Sequence, residues 1–289
     1  MENKSCRASV SVVIPFYSNA EWLCEAVDSV LAQDYDNFEM VVVNDGSKED
    51  VSGFLERYGD KIKYFEKENG GCASARNRSV AEASGEYLAF LDSDDLWTEG
   101  KLSRQMEKMR EYGAAWSYTD FEVFGESVAT ERRVMVPGAK EGMYKTISPY
   151  TGTPTVIVKK SLITDNGLTF CEGFRYGQDD IFWERLIDLE PVLYIPEVLA
   201  RVRMRGNNAA RRAAVQIHAR VEFYDKCAEL IPGFKGKCSW IYRLAVALCR
   251  FGRIFVPEKK LNGGFTEFIA RVMFAVPYLL FKIDRKLHG

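Results

Sequence analysis

Within its first hundred residues the chain alternates continuous apolar runs with amphipathic stretches, and few folds accommodate that alternation. Val10–Phe16 is a largely β-branched run of the kind found in strands buried on both faces. A helical pattern follows over 20–32, then a strand over 38–43, a helix over 48–58 and a strand over 62–66. A Gly70-Gly71 turn leads to a helix over 73–83 and a strand over 87–91. Strands and helices in this order build right-handed crossovers and a mainly parallel sheet. Ligands of such sheets bind at the carboxyl ends of the strands, where this chain carries Tyr17, Asp45 and the cluster Asp92, Asp94 and Asp95.

Residues 115–205 carry less regular strands, among them 156–158 and 192–195, with a helix over 179–188. After Asn207 the pattern is mostly helical. Gly and Pro at 137–138, 152–154 and 263–264 mark loops, the first two placed to contact a substrate.

Three acids within the four residues Asp92-Ser93-Asp94-Asp95 repel one another at the end of a buried strand. Hard oxygen donors of this kind suit Mg²⁺ or Mn²⁺ carrying a diphosphate. The same residues also suit a solvated turn in which Asp95 caps a helix starting near Leu96.

Charge is unevenly distributed. The chain of 289 residues has a net charge of -2, yet from Pro232 onwards 11 Lys and Arg face 3 Asp and Glu, a balance of +8 that leaves -10 for the rest. The 7 cysteines show no C-x-x-C pair and no disulfide-like framework, which fits a reducing, cytoplasmic setting. The apolar run near the N-terminus is short and broken by Pro15, so it is expected to be a strand and not a signal peptide. No stretch reaches the length of a membrane-spanning helix, and no G-x-x-x-x-G-K-[ST] phosphate loop occurs.

VSVVIPFYS at 10–18, VVVNDGS at 41–47, NGGCASARN at 69–77 and YLAFLDSDD at 87–95, with a weaker YGQDDIFWERL at 176–186, resemble a family 2 glycosyltransferase with the GT-A fold. The resemblance covers about residues 8–208. It implies an α/β catalytic domain with a mainly parallel mixed sheet flanked by helices. Residues 8–100 would form the nucleotide-sugar half, 101–208 the acceptor half, and 209–289 a helical, basic and amphipathic extension.

It also implies roles residue by residue. Tyr17, with the backbone of Pro15 and Phe16, would hold the nucleobase, and Asp45 would accept from a base N–H. Arg76 would stand beside the nucleotide. Asp92 and Asp94 form the D-x-D pair: Asp94 the direct metal ligand, Asp92 the partner of the ribose hydroxyls with a direct or water-mediated metal contact, and Ser93 part of the donor site. Asp179 would be the catalytic base, although Gln178 stands where the family usually has Glu. Arg203 and Arg205 lie where many members have Arg-x-His, so the identity of a third metal ligand stays open, and Arg203 or Arg205 is expected to clamp the diphosphate. Thr153-Pro154-Thr155 falls where the family builds its acceptor floor.

The expected activity is metal-dependent, inverting transfer of one hexose from a nucleoside diphosphate sugar, a UDP-hexose, to a hydroxyl of a glycan acceptor in surface polysaccharide assembly. Mn²⁺ or Mg²⁺ is the expected cofactor and a lipid-linked glycan the expected acceptor. The alternative is a catalytically silent sugar-nucleotide sensor or scaffold, although binding alone has no need of a base at Asp179. The helices expected at 239–255 and 265–289 mix aromatic, aliphatic and basic residues, with Arg243, Arg250 and Arg253 as a charged stripe. They suit a membrane interface on the inner face of the cell membrane, and equally packing on the core or a dimer contact. No nucleic-acid motif accompanies the positive charge.

Overall fold

A computed structural model describes residues 8–125, 132–134, 139–145, 151–174, 176–205, 212–257 and 264–288. The chain divides into two compact units, one of residues 1–173 and 186–205, the other of 174–185 and 206–289. The loop marks at 137–138 and 263, and the expected boundary at 208, lie outside the described residues.

The first unit opens with β1 (Val10–Phe16), all seven residues of which are buried. α1 (Ala20–Leu31), β2 (Phe38–Asn44), α2 (Ser52–Tyr58), β3 (Lys63–Glu66), α3 (Cys72–Glu82) and β4 (Tyr87–Phe90) follow as the alternation requires. Next come β5 (Leu96–Trp97), α4 (Lys101–Tyr112), β6 (Trp116–Phe124), β7 (Arg132–Val134), β8 (Gly142–Tyr144), a 3₁₀ turn at Thr153–Thr155, β9 (Ile157–Lys159) and α5 (Lys160–Thr164). α6 (Gln178–Leu189), whose residues up to Arg185 belong to the second unit, leads into β10 (Val192–Arg203).

One sheet runs in the order β3-β2-β1-β4-β9-β6-β10-β5, with β7 on β6 and β8 on β10. β1 pairs in parallel with β2, Val13 opposite Val41, and with β4, Val13 opposite Phe90. The chain thus winds outward from β1 to β3 and then returns to the other flank of β1. That reversal opens a crevice at the carboxyl ends of β1 and β4. Pairing turns antiparallel at β9, which lies between β4 and β6.

Three elements depart from expectation. α2 starts at Ser52 and not at 48, because Asp50 accepts from the Ser52 amide at 2.9 Å and Glu49 reaches back to the amides of Asn19 and Ala20 at 2.6 and 2.8 Å. β10 continues to Arg203 beyond 195, with its register against β6 slipping between Ile195 and Val198, around Pro196. No helix begins near Leu96: Leu96 and Trp97 pair with Arg201 and Ala200 as a strand, so Asp95 is no helix cap.

In the second unit α7 (Ala213–Leu230), α8 (Phe234–Lys237), α9 (Trp240–Phe255) and α10 (Gly264–His288) enclose Ile217, Val221, Ala245, Cys249 and Phe281. Glu267 accepts from the amides of Ala213 and Ala214 at 3.0 and 3.2 Å, covering two orphan donors at the start of α7. Arg253 turns inward to Glu222 at 3.0 Å and Arg250 pairs with Asp225, so these arginines bind α7 instead of forming a separate charged stripe. Among the described residues no helix is long and apolar enough to cross a membrane.

Candidate active site

The chain leaves β1 at Tyr17, whose side chain is 57% exposed, while Phe16 just before it is buried. The Phe16 carbonyl accepts from the Asp45 amide at 2.8 Å, which joins the ends of β1 and β2. Pro15 sits opposite Val43 in that same parallel register.

Asp45 is buried and tightly engaged. Its Oδ1 accepts from Lys67 Nζ at 2.7 Å and from the Gly70 amide at 3.0 Å, its Oδ2 from the Gly71 amide at 2.8 Å. Asn69 Nδ2 donates to the Asp45 carbonyl at 2.9 Å. A carboxylate at the end of β2 therefore organises the loop that opens α3. Gly46 makes this approach sterically feasible: its φ is +74°, and a Cβ there would lie 2.8 Å from the Asn69 nitrogen.

Arg76, one turn into α3, is 3% exposed and directs Nη2 to Asp92 Oδ1 at 2.5 Å, with its guanidinium 5.6 Å from the Phe170 ring centre. A guanidinium buried this deeply needs a charge partner, and Asp92 supplies it. Arg76 thus meets the acidic turn after β4, where the sequence suggested the nucleotide.

That turn closes with the Asp95 amide donating to the Asp92 carbonyl at 3.0 Å. Asp95 is buried and accepts from the Arg203 amide at 2.8 Å. Burial raises its pKa well above the usual carboxylate value, and the charges of Asp94 and Asp92 push it the same way against the Arg203 amide and Arg205. Arg203 Nε donates to the Asp94 carbonyl at 2.9 Å while Nη2 meets Glu25 at 2.5 Å. Arg205 pairs with the Asp94 carboxylate itself. Both guanidinium groups lie 5.0 Å from the Trp22 ring centre. The repulsion expected of the three acids is thus met by arginines of the same unit.

Trp22, Glu25 and Phe170 are absent from the expectations above. Trp22 and Glu25 share a face of α1 at spacing i, i+3, but an amphipathic helix carries many such pairs, and nothing in the sequence links this one to β10. Phe170 lies on an irregular segment without a motif.

As a metal site the turn offers two partly exposed carboxylates, Asp92 at 27% and Asp94 at 18%. Their hard oxygens match Mg²⁺ or Mn²⁺ in type. In number they do not complete a coordination shell: among the described residues no three His, Cys, Asp or Glu converge.

The 3₁₀ turn at Thr153–Thr155 is buried and fixed from below. Trp97 Nε1 donates to the Pro154 carbonyl and Gln105 Nε2 to the Thr155 carbonyl, each at 2.9 Å. Gln105 Oε1 in turn accepts from the fully buried Lys101 at 2.5 Å.

In the second unit Asp179 and Asp180 occupy the first turn of α6, where the helix dipole favours negative charge. Gly177, at φ +76°, turns the chain into the helix. Asp180 is raised to about 7, first by surrounding protein that displaces water and then by Asp179, with Arg220 opposing. Its side chain keeps contact with solvent, which screens part of this effect. Gln178 Oε1 is buried with no hydrogen-bond partner among the described residues.

The family model for glycosyl transferase family 2 matches residues 11–184. A Rickettsia typhi glycosyltransferase is 31% identical over 94% of this chain and 92% of its own length. A Bacillus subtilis protein named as a teichuronic acid biosynthesis glycosyltransferase, TuaG, is 38% identical over 69% of this chain and 80% of its own. A Rickettsia bellii glycosyltransferase is 35% identical over 70% of this chain, but that match spans only 29% of its length. Among solved structures, residues 1–349 of S. aureus TarS in complex with UDP share the fold at a TM-score of 0.62 and 20% identity, covering 96% of this chain and 91% of that one. A Pyrobaculum calidifontis mannosyltransferase in complex with GDP-Man and Mn²⁺ gives 0.59 at 16% identity, covering 99% and 78%. With the motifs of the parallel half folded onto one strand-end crevice, this chain belongs to glycosyl transferase family 2 and has the GT-A type of α/β fold.

Proposed function

We propose that the chain transfers one hexose from a UDP-hexose to a hydroxyl of a lipid-linked glycan, with inversion at the anomeric carbon, during surface polysaccharide assembly at the cytoplasmic face of the membrane. The observation that carries this reading is the convergence of Tyr17, Asp45 and the Asp92–Asp94 turn at the switch point of the sheet. The name of the B. subtilis relative supports the polysaccharide setting, and a TarS complex with UDP-GlcNAc supports the donor class.

In this mechanism the exposed Tyr17 ring packs against the base. Asp45 holds the 69–71 loop and meets the base edge beside it. Asp92, oriented by Arg76, receives the ribose hydroxyls with Ser93 next to it. Asp94 and Asp92 would hold Mn²⁺ or Mg²⁺, which when bound supplies positive charge to the departing diphosphate. Arg205 leaves Asp94 as the donor arrives and turns to the diphosphate, and Arg203 keeps the acidic turn tied to β10. Asp179 takes the proton of the acceptor hydroxyl as it attacks.

A panel of UDP- and GDP-sugars with Mn²⁺ or Mg²⁺, scored by nucleoside diphosphate release with and without lipid-linked glycan, tests the proposal. Acceptor-dependent release from a UDP-hexose is expected. Silence across the whole panel alongside tight nucleotide binding would identify a sensor.

A further inference from the structure

We propose that the outward faces of α9 and α10 form an interfacial membrane anchor that lies in the headgroup layer of an anionic bilayer. This deepens the membrane attachment in the reading above and rests on it, while assigning it to a defined surface.

On α9, Trp240, Leu244, Phe251 and Phe255 recur at helical spacing and are all exposed, with Ile254 beside them at 72%. On α10, which packs against α9, Phe265 is 77% exposed and Phe268, Val272, Val276 and Leu279 continue the same stripe. The opposite faces of both helices are buried, at Ala245 and Cys249 on α9 and at Ala270 and Phe281 on α10. Each helix thus satisfies its core side and still presents a second, continuous apolar side. Scattered apolar residues on a surface need no explanation, but two adjoining stripes this long mark an interaction site.

The charges around the stripes select the partner. α9 contains no acidic residue. The two acids of α10 are both engaged: Glu267, 17% exposed, caps α7 and meets Arg271 Nε at 3.3 Å, and Asp284 accepts from Ser239. Viewed down the helices at about 100° per residue, Arg243 falls at the edge of the α9 stripe, and Arg271 and Lys282 at the edge of the α10 stripe. Arg271 is 74% exposed. An apolar face rimmed by cations complements an anionic lipid surface, with aromatic rings at the acyl boundary and cations among the headgroups. A second copy of this chain would bring the same cations, and among the described residues the one acid beside them, Glu267, is already engaged by Arg271 and the start of α7. Neither helix is apolar enough to span, so the mode is interfacial.

The test is co-sedimentation of the full chain with phosphatidylcholine vesicles, with and without phosphatidylglycerol, in the absence of donor and acceptor. Binding is expected to rise at least about tenfold with the anionic lipid. Phe251→Glu with Phe268→Glu should lower it by about tenfold or more, with an unchanged melting curve because both side chains are already exposed. Arg271→Glu with Lys282→Glu should remove the anionic preference. Equal binding by wild type and the Phe pair, equal binding to both vesicle types, no binding at all, or a stable dimer that the Phe pair dissociates would each overturn the anchor. Transfer to a water-soluble glycan acceptor is read separately, so a failed anchor and a failed catalytic reading are distinguishable.

Discussion

Arg205 lays its guanidinium on the Asp94 carboxylate, over the ring of Trp22. This contact occupies Oδ2 of the carboxylate proposed to receive the metal ion, so a cation arriving there competes with an internal one. The arginine is 49% exposed, which places the pair near the surface regime of about 0–1 kcal/mol. Arg205→Gln is therefore expected to tighten Mn²⁺ binding without nucleotide by up to about fivefold, measured by electron paramagnetic resonance of free Mn²⁺. The same substitution should weaken UDP binding, because the diphosphate loses its arginine. Weaker Mn²⁺ binding in the variant would show that Arg205 does not compete for Asp94.

The Arg76–Asp92 pair has a different energetic character. Arg76 is 3% exposed and Asp92 27%, so removing the carboxylate leaves a buried cation without its acidic partner. Asp92→Asn should cost about 2–4 kcal/mol in urea unfolding, and Arg76→Met added to it should recover much of that loss. A coupling energy in the double-mutant cycle below about 0.5 kcal/mol would contradict a structural bond between α3 and the acidic turn.

Gly46 lies where the backbone is left-handed and where a methyl group would strike the Asn69 amide. Gly46→Ala should lose about 1–3 kcal/mol of stability and weaken UDP binding, since the loop that Asp45 holds must move. Isothermal titration with UDP, read beside thermal melting, checks both. Unchanged values for both would mean that the loop has another arrangement in solution.

These residues show where the sequence was readable. Val10–Phe16, Phe38–Val43 and Tyr87–Leu91 announced parallel strands because burial on both faces leaves a nearly continuous apolar run, broken only by Ser11 and Glu39, and their ends located Tyr17, Asp45 and the acidic turn. Asp92-Ser93-Asp94-Asp95 was legible as a charge problem, but its partners were not. Arg76, Arg203 and Arg205 stand 16 to 111 residues away from the turn residues they meet, and a contact across that separation leaves no periodic trace. Asp95 suggested either a second metal ligand or a helix cap, the latter because turn acids commonly precede helices. What decided against the cap was the long β10, whose bulge carries the strand far enough to pair with Leu96–Trp97.

Lys101 lies wholly buried with the Gln105 amide oxygen as its hydrogen-bond partner, 4.8 Å from the Trp97 ring centre, and burial lowers its pKa to about 7. Between that value and the ordinary lysine value the unfolded chain binds more protons than the folded one, so stability rises with pH across about 7–10. The contribution is about 2–4 kcal/mol over the window, and Lys101→Met should abolish it. Unfolding free energies of wild type and variant at pH 7 and pH 9.5 give the answer. Parallel pH dependences would mean that the ammonium is solvated.

The central claim, acid–base glycosyl transfer from a donor held at the Asp92–Asp94 turn, meets its most direct test in acceptor-dependent UDP release by wild type and Asp179→Asn, measured with the same UDP-hexose, cation and lipid-linked glycan. The variant is expected to bind UDP normally and to lose about 10²–10⁴-fold in turnover. Turnover equal to wild type would contradict the account.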